Sequence, residues 1–462
     1  MTTSLRRSLG ALEYFTFGFG SMVGVGWLVV IDDWLGRGGP GGAVLGFLCG
    51  ALLLLPIALT YGRLVQQIPD AGAEIAYTEP VFPRGVSFVA GWMMVLAYAI
   101  VCPWEAVAIG NVLARLFPAM NSVALYTVAG KAITLPRLLA GIGLTGWIGF
   151  VNHRGIRLSG RFQDFTTLGL LACFALFVVL GFARGTVANA QPPFAPQGAF
   201  VSVLLVAQIV PYFMTGFESI PKASEEARPD LSPKLLSRTI TLAVLAGGLF
   251  YVIIVAVVAW VYPWTDLVTQ HLGTEAAFGR AFGTPWIARL ILAAALLSLF
   301  KVFNGNFVAA TRLLYALGRR RLMHPAVATI DPRFGTPTVA IAVVTLLAAA
   351  AAFLGDALLV PITEVGSAVV GIGWCAACIA YLALARRSGS RGGTAAASIG
   401  AGVSVVIVLM KVVPGIPGSF SWLEWMALLG WCVVGFLLWW FRGSATTPAP
   451  GPAPTSPSAR DR

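Results

Sequence analysis

Twelve stretches of this chain are apolar over the roughly 20 residues that a helix needs to cross the hydrocarbon core of a bilayer. They lie near 12–35, 40–66, 85–116, 133–151, 162–183, 199–222, 238–262, 285–317, 336–354, 357–385, 395–413 and 421–441. The third and eighth are long enough to cross at a tilt. Of the 462 residues, 58% are hydrophobic and 11% charged. A soluble chain carries about 25% charged residues, so this one lacks the polar surface of an ordinary soluble enzyme. A disordered chain is excluded on the same ground. The expected fold class is an all-α integral membrane protein with 12 transmembrane helices.

The net charge of +12 does not point to nucleic acid, because the Lys and Arg residues sit in short loops and no basic patch carries stacking aromatics. Their distribution is a topology signal. With both termini inside, the inner segments hold 22 of the 31 Lys and Arg residues, among them Arg154, Arg157, Arg161, Arg319, Arg320 and Arg321. The expected location is therefore the cytoplasmic membrane, multi-pass, with N- and C-termini cytoplasmic. All six cysteines fall in apolar runs, and the CxxC of Cys375 and Cys378 lacks partners for a metal or redox site, so no metal or cofactor is expected. No cleaved signal peptide is expected either, since the apolar run after Arg6 and Arg7 is far longer than an h-region. The segment 444–462 is rich in Pro, Ala, Ser and Thr and is predicted to be a disordered tail.

Two of the apolar stretches are interrupted. In the first, Gly18, Gly20, Gly24 and Gly26 surround Ser21. Clustered glycines weaken a helix and let a ligand approach the backbone. The sixth carries Pro211, Tyr212, Phe213, Met214, Thr215, Gly216 and Glu218 at similar depth. The two breaks stand five helices apart, the arrangement expected of an inverted-repeat transporter that binds substrate at discontinuous helices. The alternative is that the glycines serve close helix packing. Packing is the reading preferred for the GxGxxG at 141–146, which follows no strand.

The motifs GSMVGVGW in the first stretch, VNHRGIRLSGRFQD (151–164), GFESIPKASEEARP (216–229), ATRLLYALGRRRLMHP (310–325) and DPRFGTPTVAI (331–341) occur in this order. Together they resemble the amino acid–polyamine–organocation superfamily of secondary transporters, over about residues 10 to 385. The resemblance implies a LeuT-like 5+5 inverted repeat with discontinuous helices 1 and 6. Residues 12–183 would form the first five-helix repeat, 199–385 the second, and 395–441 two accessory helices, after a cytoplasmic N-terminus at 1–11. It also implies that the substrate carboxylate lies on backbone N–H groups of Ser21, Met22, Val23, Gly24, Val25 and Gly26. The substrate ammonium would face carbonyls near Phe213, Met214, Thr215 and Gly216. Tyr212 stands where relatives place an aromatic gate, and Trp104 is a second wall candidate. Glu218 matches a glutamate that some exchangers use in proton sensing; its other reading is a bond to loose backbone at the break.

Glu105, Glu218, Lys301 and Glu364 are the ionisable residues expected deep in spans, where such groups are costly and mark function. Lys301 stands where sodium-coupled cousins supply ion ligands. The helix-5 lysine of some proton-coupled relatives falls on Leu170 here. Lys301, Glu105 and Glu218 are therefore the coupling candidates, with protons as the coupling ion, and a fixed Lys301–Glu105 pair is the alternative. Loop charges are read as mostly solvated faces; the alternative for Glu225 and Glu226 is to pair with Arg154, Arg157 or Arg161 and close the cytoplasmic side. The expected function is transport of an amino acid by alternating access, as proton-coupled uptake. An amine or polyamine permease, an exchanger, and a non-transporting nutrient sensor are the alternatives. No HExxH, GxSxG or paired intramembrane aspartates suggest an enzyme.

Overall fold

A computed structural model of the chain describes residues 5, 7–416 and 419–442. The expected tail at 444–462 lies outside them. The first apolar stretch forms α1 (Ala11–Met22) and the single turn α2 (Gly26–Val29), then continues into α3 (Ile31–Gln67). The boundary expected between 35 and 40 is not a chain break but a kink within α3 at Gly39, whose φ of 61 is left-handed. A Cβ there would meet backbone of Phe194 and Ala195 at 2.8 Å, so only glycine fits. The chain then runs through α4 (Glu74–Thr78), α5 (Arg84–Ala99) and α6 (Val101–Leu116). Strands β1 (Ala124–Val128) and β2 (Lys131–Thr134) pair antiparallel. This hairpin sits in the loop before α7 and leaves the all-α class intact; Leu125, Tyr126, Thr127 and Val128 are β-prone, and no lipid face requires a helix there.

After it come α7 (Leu135–His153) and α8 (Ile156–Arg184). The sixth stretch is in pieces: α9 (Ala199–Ala207), α10 (Val210–Phe213) and α11 (Ser219–Lys222). Then follow α12 (Pro233–Val261), the short α13 (Trp264–Thr269) and α14 (Thr274–Phe282), α15 (Pro285–Arg319), α16 (Thr338–Ala352), α17 (Leu359–Ser388), α18 (Thr394–Val412) and α19 (Trp422–Trp440).

Among the described residues, nine helical segments are long and apolar enough to cross a membrane. The other three expected stretches are also helical: α7, the segmented α9–α11, and the 15-residue α16. Burial sorts the helices. The candidate span through α1 and α2 and the one through α5 and α6 are each 72% buried, whereas α18 and α19 are 22% and 17% buried. Lipid-facing side chains such as Val405, Val406, Val433 and Phe436 stay exposed, as apolar groups do where the surroundings are hydrocarbon. The well-buried spans are thus α1–α2, α5–α6, α12, α15 and α17, with α10–α11 buried among them and α18 and α19 on the rim.

Candidate functional site

The two breaks meet at the centre of the bundle. Gly216 has φ 137, and a Cβ there would meet Ser21 Cβ at 2.6 Å and the Met22 nitrogen at 2.7 Å. Glycine is therefore required for the second break to touch the first. Between them lies a small cavity. The first break contributes Ser21, Met22, Gly24, Val25 and Gly26; the second contributes Tyr212, Phe213 and Thr215. α6 supplies Val101, Trp104 and Glu105, and α15 supplies Val302 and Asn306. Of the sequence-predicted site residues, Val23, Met214, Gly216, Glu218 and Lys301 do not line this cavity.

The glycines divide into two kinds. A Cβ on Gly18 would strike Ile220, on Gly20 Gln163, and on Gly26 Phe213 and Trp34, all within 3 Å. Those three allow close packing. At Gly24 a Cβ would find only ordinary contacts, 3.7 Å from Glu105 Oε1 and from Val302. Gly24 alone of the four opens onto the cavity without crowding.

Backbone groups at the breaks are unequally satisfied. Met22 O accepts from the Tyr251 hydroxyl at 3.0 Å, and that hydroxyl accepts from Gly24 N at 3.3 Å. Ser21 O accepts from Asn306 at 3.3 Å. Gly20 O accepts from Lys301 Nζ at 3.2 Å, and Val23 O from Lys301 and, at 3.1 Å, from Ser298. The open carbonyl end of α1 is thus capped by side chains of α12 and α15. By contrast, among the described residues the N–H groups of Val25 and Gly26 have no acceptor, and the carbonyls of Phe213, Met214 and Thr215 have no donor. Bare donors on one break and bare acceptors on the other can hold a ligand that carries both an anion and a cation.

Lys301 and Glu105 do not form the direct pair that was one expectation. Among the described residues Glu105 has no ion pair, and its Oε2 is buried without a hydrogen-bond partner. The reason is that the frayed end of α1 presents Lys301 with nearer carbonyl acceptors. Glu218 lies behind the cavity, where its Oε2 accepts from Gly216 N at 3.0 Å, as in its backbone-bonding reading.

Deep ionisable groups exceed the four expected. Lys222 and Glu74, both fully buried, pair at 2.7 Å, and Tyr61 donates to the same carboxylate oxygen at 2.6 Å. Arg312 and Glu226, also fully buried, pair at 2.8 Å. Neither the solvated reading of Glu225 and Glu226 nor their pairing with Arg154, Arg157 or Arg161 is what the structure has: Glu225 pairs with Arg319 at 2.6 Å, and Glu226 with Arg312. The loop after α11 folds under α15 rather than toward the start of α8. Glu364, the last of the expected deep groups, pairs with Lys411 of α18. The polar face of α15, at Ser298, Lys301 and Asn306 with small Gly305 between, was the sequence signal for its contact with α1. Tyr251, inside the apolar α12, gave no such signal.

A sequence profile of the amino acid permeases matches residues 9–443. The chain belongs to the amino acid permease family, within the amino acid–polyamine–organocation superfamily. It is 26% identical over 430 residues to the branched-chain amino acid permease of Bacillus subtilis, covering 90% of this chain and 84% of that one. The methylthioribose transporter of the same organism is 26% identical over 346 residues, 72% of each chain. The mouse cationic amino acid transporter 4 is 28% identical over 367 residues, covering 77% of this chain and 56% of its own. This permease is therefore a multi-pass membrane protein of a transporter family, not an enzyme.

Proposed function

We infer that this permease is a secondary active transporter that takes up an amino acid across the cytoplasmic membrane by alternating access, with both termini cytoplasmic. The reading rests on one observation above all: the cavity between the breaks has bare N–H groups on one wall and bare carbonyls on the facing one. A substrate α-carboxylate on Val25 and Gly26 and its ammonium against the Phe213 and Thr215 carbonyls would occupy the bare groups that border the cavity. The helical stretches α7, α9–α11 and α16 complete twelve crossings. Breaks at the first and sixth of them fit two inverted five-helix repeats of the LeuT-like kind.

Protons are the proposed coupling ion. Lys301 supplies a positive charge to the carbonyl end of α1, the place where a cation would otherwise be needed. Loss of its proton removes that charge and loosens α1 from α15. A second substrate reading has its own support. The unpaired Glu105 carboxylate borders the cavity and suits a substrate with an additional cationic group, or an amine.

The test is uptake of radiolabelled amino acids and amines into proteoliposomes. Gly24→Leu, which fills the cavity where space exists, is expected to abolish uptake while the protein inserts normally. Wild-type uptake by that variant would place the substrate elsewhere. Glu105→Gln separates the substrate readings: a neutral amino acid tolerates it, whereas a cationic substrate loses at least tenfold in apparent affinity.

A further inference from the structure

At the end of the bundle away from the N-terminus, a separate small cleft lies between α6, β2, α7 and the turn after α16. Val107, Ile133, Leu138 and Ala352 give it apolar walls, and Asn111, Arg137 and Asp356 give it polar ones. It adjoins the central cavity through α6: Trp104 and Glu105 line the one, Ala106 and Val107 the other.

Its charges are opposite but do not neutralise each other. Asn111 stands between them. Its Nδ2 donates to Asp356 Oδ1 at 2.7 Å, and its Oδ1 accepts from Arg137 Nη1 at 3.3 Å. Arg137 Nη2 donates to Asn121 Oδ1, while Arg137 Nε is buried with no acceptor. Among the described residues neither Arg137 nor Asp356 has an ion-pair partner. A guanidinium is always charged, and among the described residues Arg137 meets only neutral amide oxygens, so an anion in the cleft would be its first charged partner. A carboxylate accepts at several sites, and among the described residues Asp356 uses only Oδ1, once within the cleft.

The Asn111 amide offers an acceptor toward Arg137 and a donor toward Asp356. A zwitterionic α-amino acid offers that same pair, each end carrying full charge. We propose that this cleft binds a free amino acid as a second site, its carboxylate on Arg137 and its ammonium on Asp356, with the side chain against the apolar walls. A plain carboxylic acid or a plain amine satisfies only one end.

The experiment measures bound ligand per chain by equilibrium dialysis of the full-length protein in nanodiscs, with radiolabelled glycine, L-alanine, L-leucine and L-lysine at millimolar concentration. The parent is expected to bind two molecules of at least one probe. Gly24→Leu, which blocks the central cavity, should leave one. Arg137→Gln should also leave one, and so should the near-isosteric Asp356→Asn, each weakening the outer site at least tenfold. The Gly24→Leu/Arg137→Gln double variant should bind none. Propionate or ethylamine alone should not displace the molecule that Gly24→Leu retains. If Gly24→Leu binds nothing, or if Arg137→Gln and Asp356→Asn both still bind two, the outer site does not exist. If the parent binds one molecule that Gly24→Leu keeps and Arg137→Gln loses, the outer site stands and the central reading falls. No binding of any probe to the parent overturns both.

Discussion

At the residue scale, the glycines of the first break look alike in the chain and differ in what surrounds them. Gly26 is walled by Phe213 and Trp34, whereas Gly24 faces the cavity. Alanine at Gly24 is therefore expected to leave stability within about 0.5 kcal/mol of the parent, the range of substitutions that disturb no packing. Alanine at Gly26 must displace an aromatic ring and should cost about 1–3 kcal/mol, the usual price of overpacking. Thermal denaturation of both variants in detergent checks this; equal midpoints would mean that Phe213 moves freely and that the break is loosely packed. The same contrast separates a functional test from a folding test: Gly24→Leu interrogates binding, while Gly26→Leu would confound binding with packing.

At the scale of elements, α10 and α11 are short pieces held by side chains rather than by a continuous ladder. Glu218 ties Gly216 N, and Lys222, in the last turn of α11, reaches Glu74 of α4. The Lys222 ammonium also lies 4.8 Å from the centre of the Tyr98 ring. Removing one partner of a buried pair leaves an uncompensated charge. Lys222→Met is thus expected to destabilise by about 3–5 kcal/mol, and Lys222→Met/Glu74→Gln to recover much of it. A double variant whose loss equals the sum of the Lys222→Met and Glu74→Gln losses would show that the pair contributes no coupling. The ring of Tyr212 lines the cavity, half-buried, at the start of this element and beside Gly366 of α17. Because it borders open space, Tyr212→Ala should lower uptake more than it lowers the melting temperature. Unchanged uptake with a large loss of stability would make it a packing residue.

For the whole molecule, the N-terminal end is closed. Arg312 and Glu226 are fully buried, Ser8 and Leu9 donate to Glu226 O at 2.8 and 2.9 Å, and Tyr14 donates to Ala223 O at 2.6 Å. Opening that end requires α1 to part from both α11 and α15, and Lys301 is the charged link to α15. Lys301→Gln keeps a hydrogen-bond donor and removes the proton that can leave. It is expected to abolish accumulation driven by an imposed pH gradient while retaining slow exchange. Accumulation driven by a sodium gradient alone, or undiminished proton-driven accumulation by Lys301→Gln, would overturn the coupling reading and leave Lys301 as a cap on α1.

Apolar runs of spanning length and a charge bias between loops are local properties. They were enough to assign a membrane protein, and the order of short motifs was enough to place it among the permeases. The positions of both breaks were also legible, because glycine and proline act on the backbone they belong to. What surrounds those breaks was not. Lys301 has carbonyl acceptors in α1 rather than a bond to Glu105, Glu225 and Glu226 turn to α15, and Lys222 finds Glu74 148 residues away, because each pairing depends on how separate helices cross. A buried charge takes the nearest partner that the packing presents, and only the tertiary structure decides which partner that is.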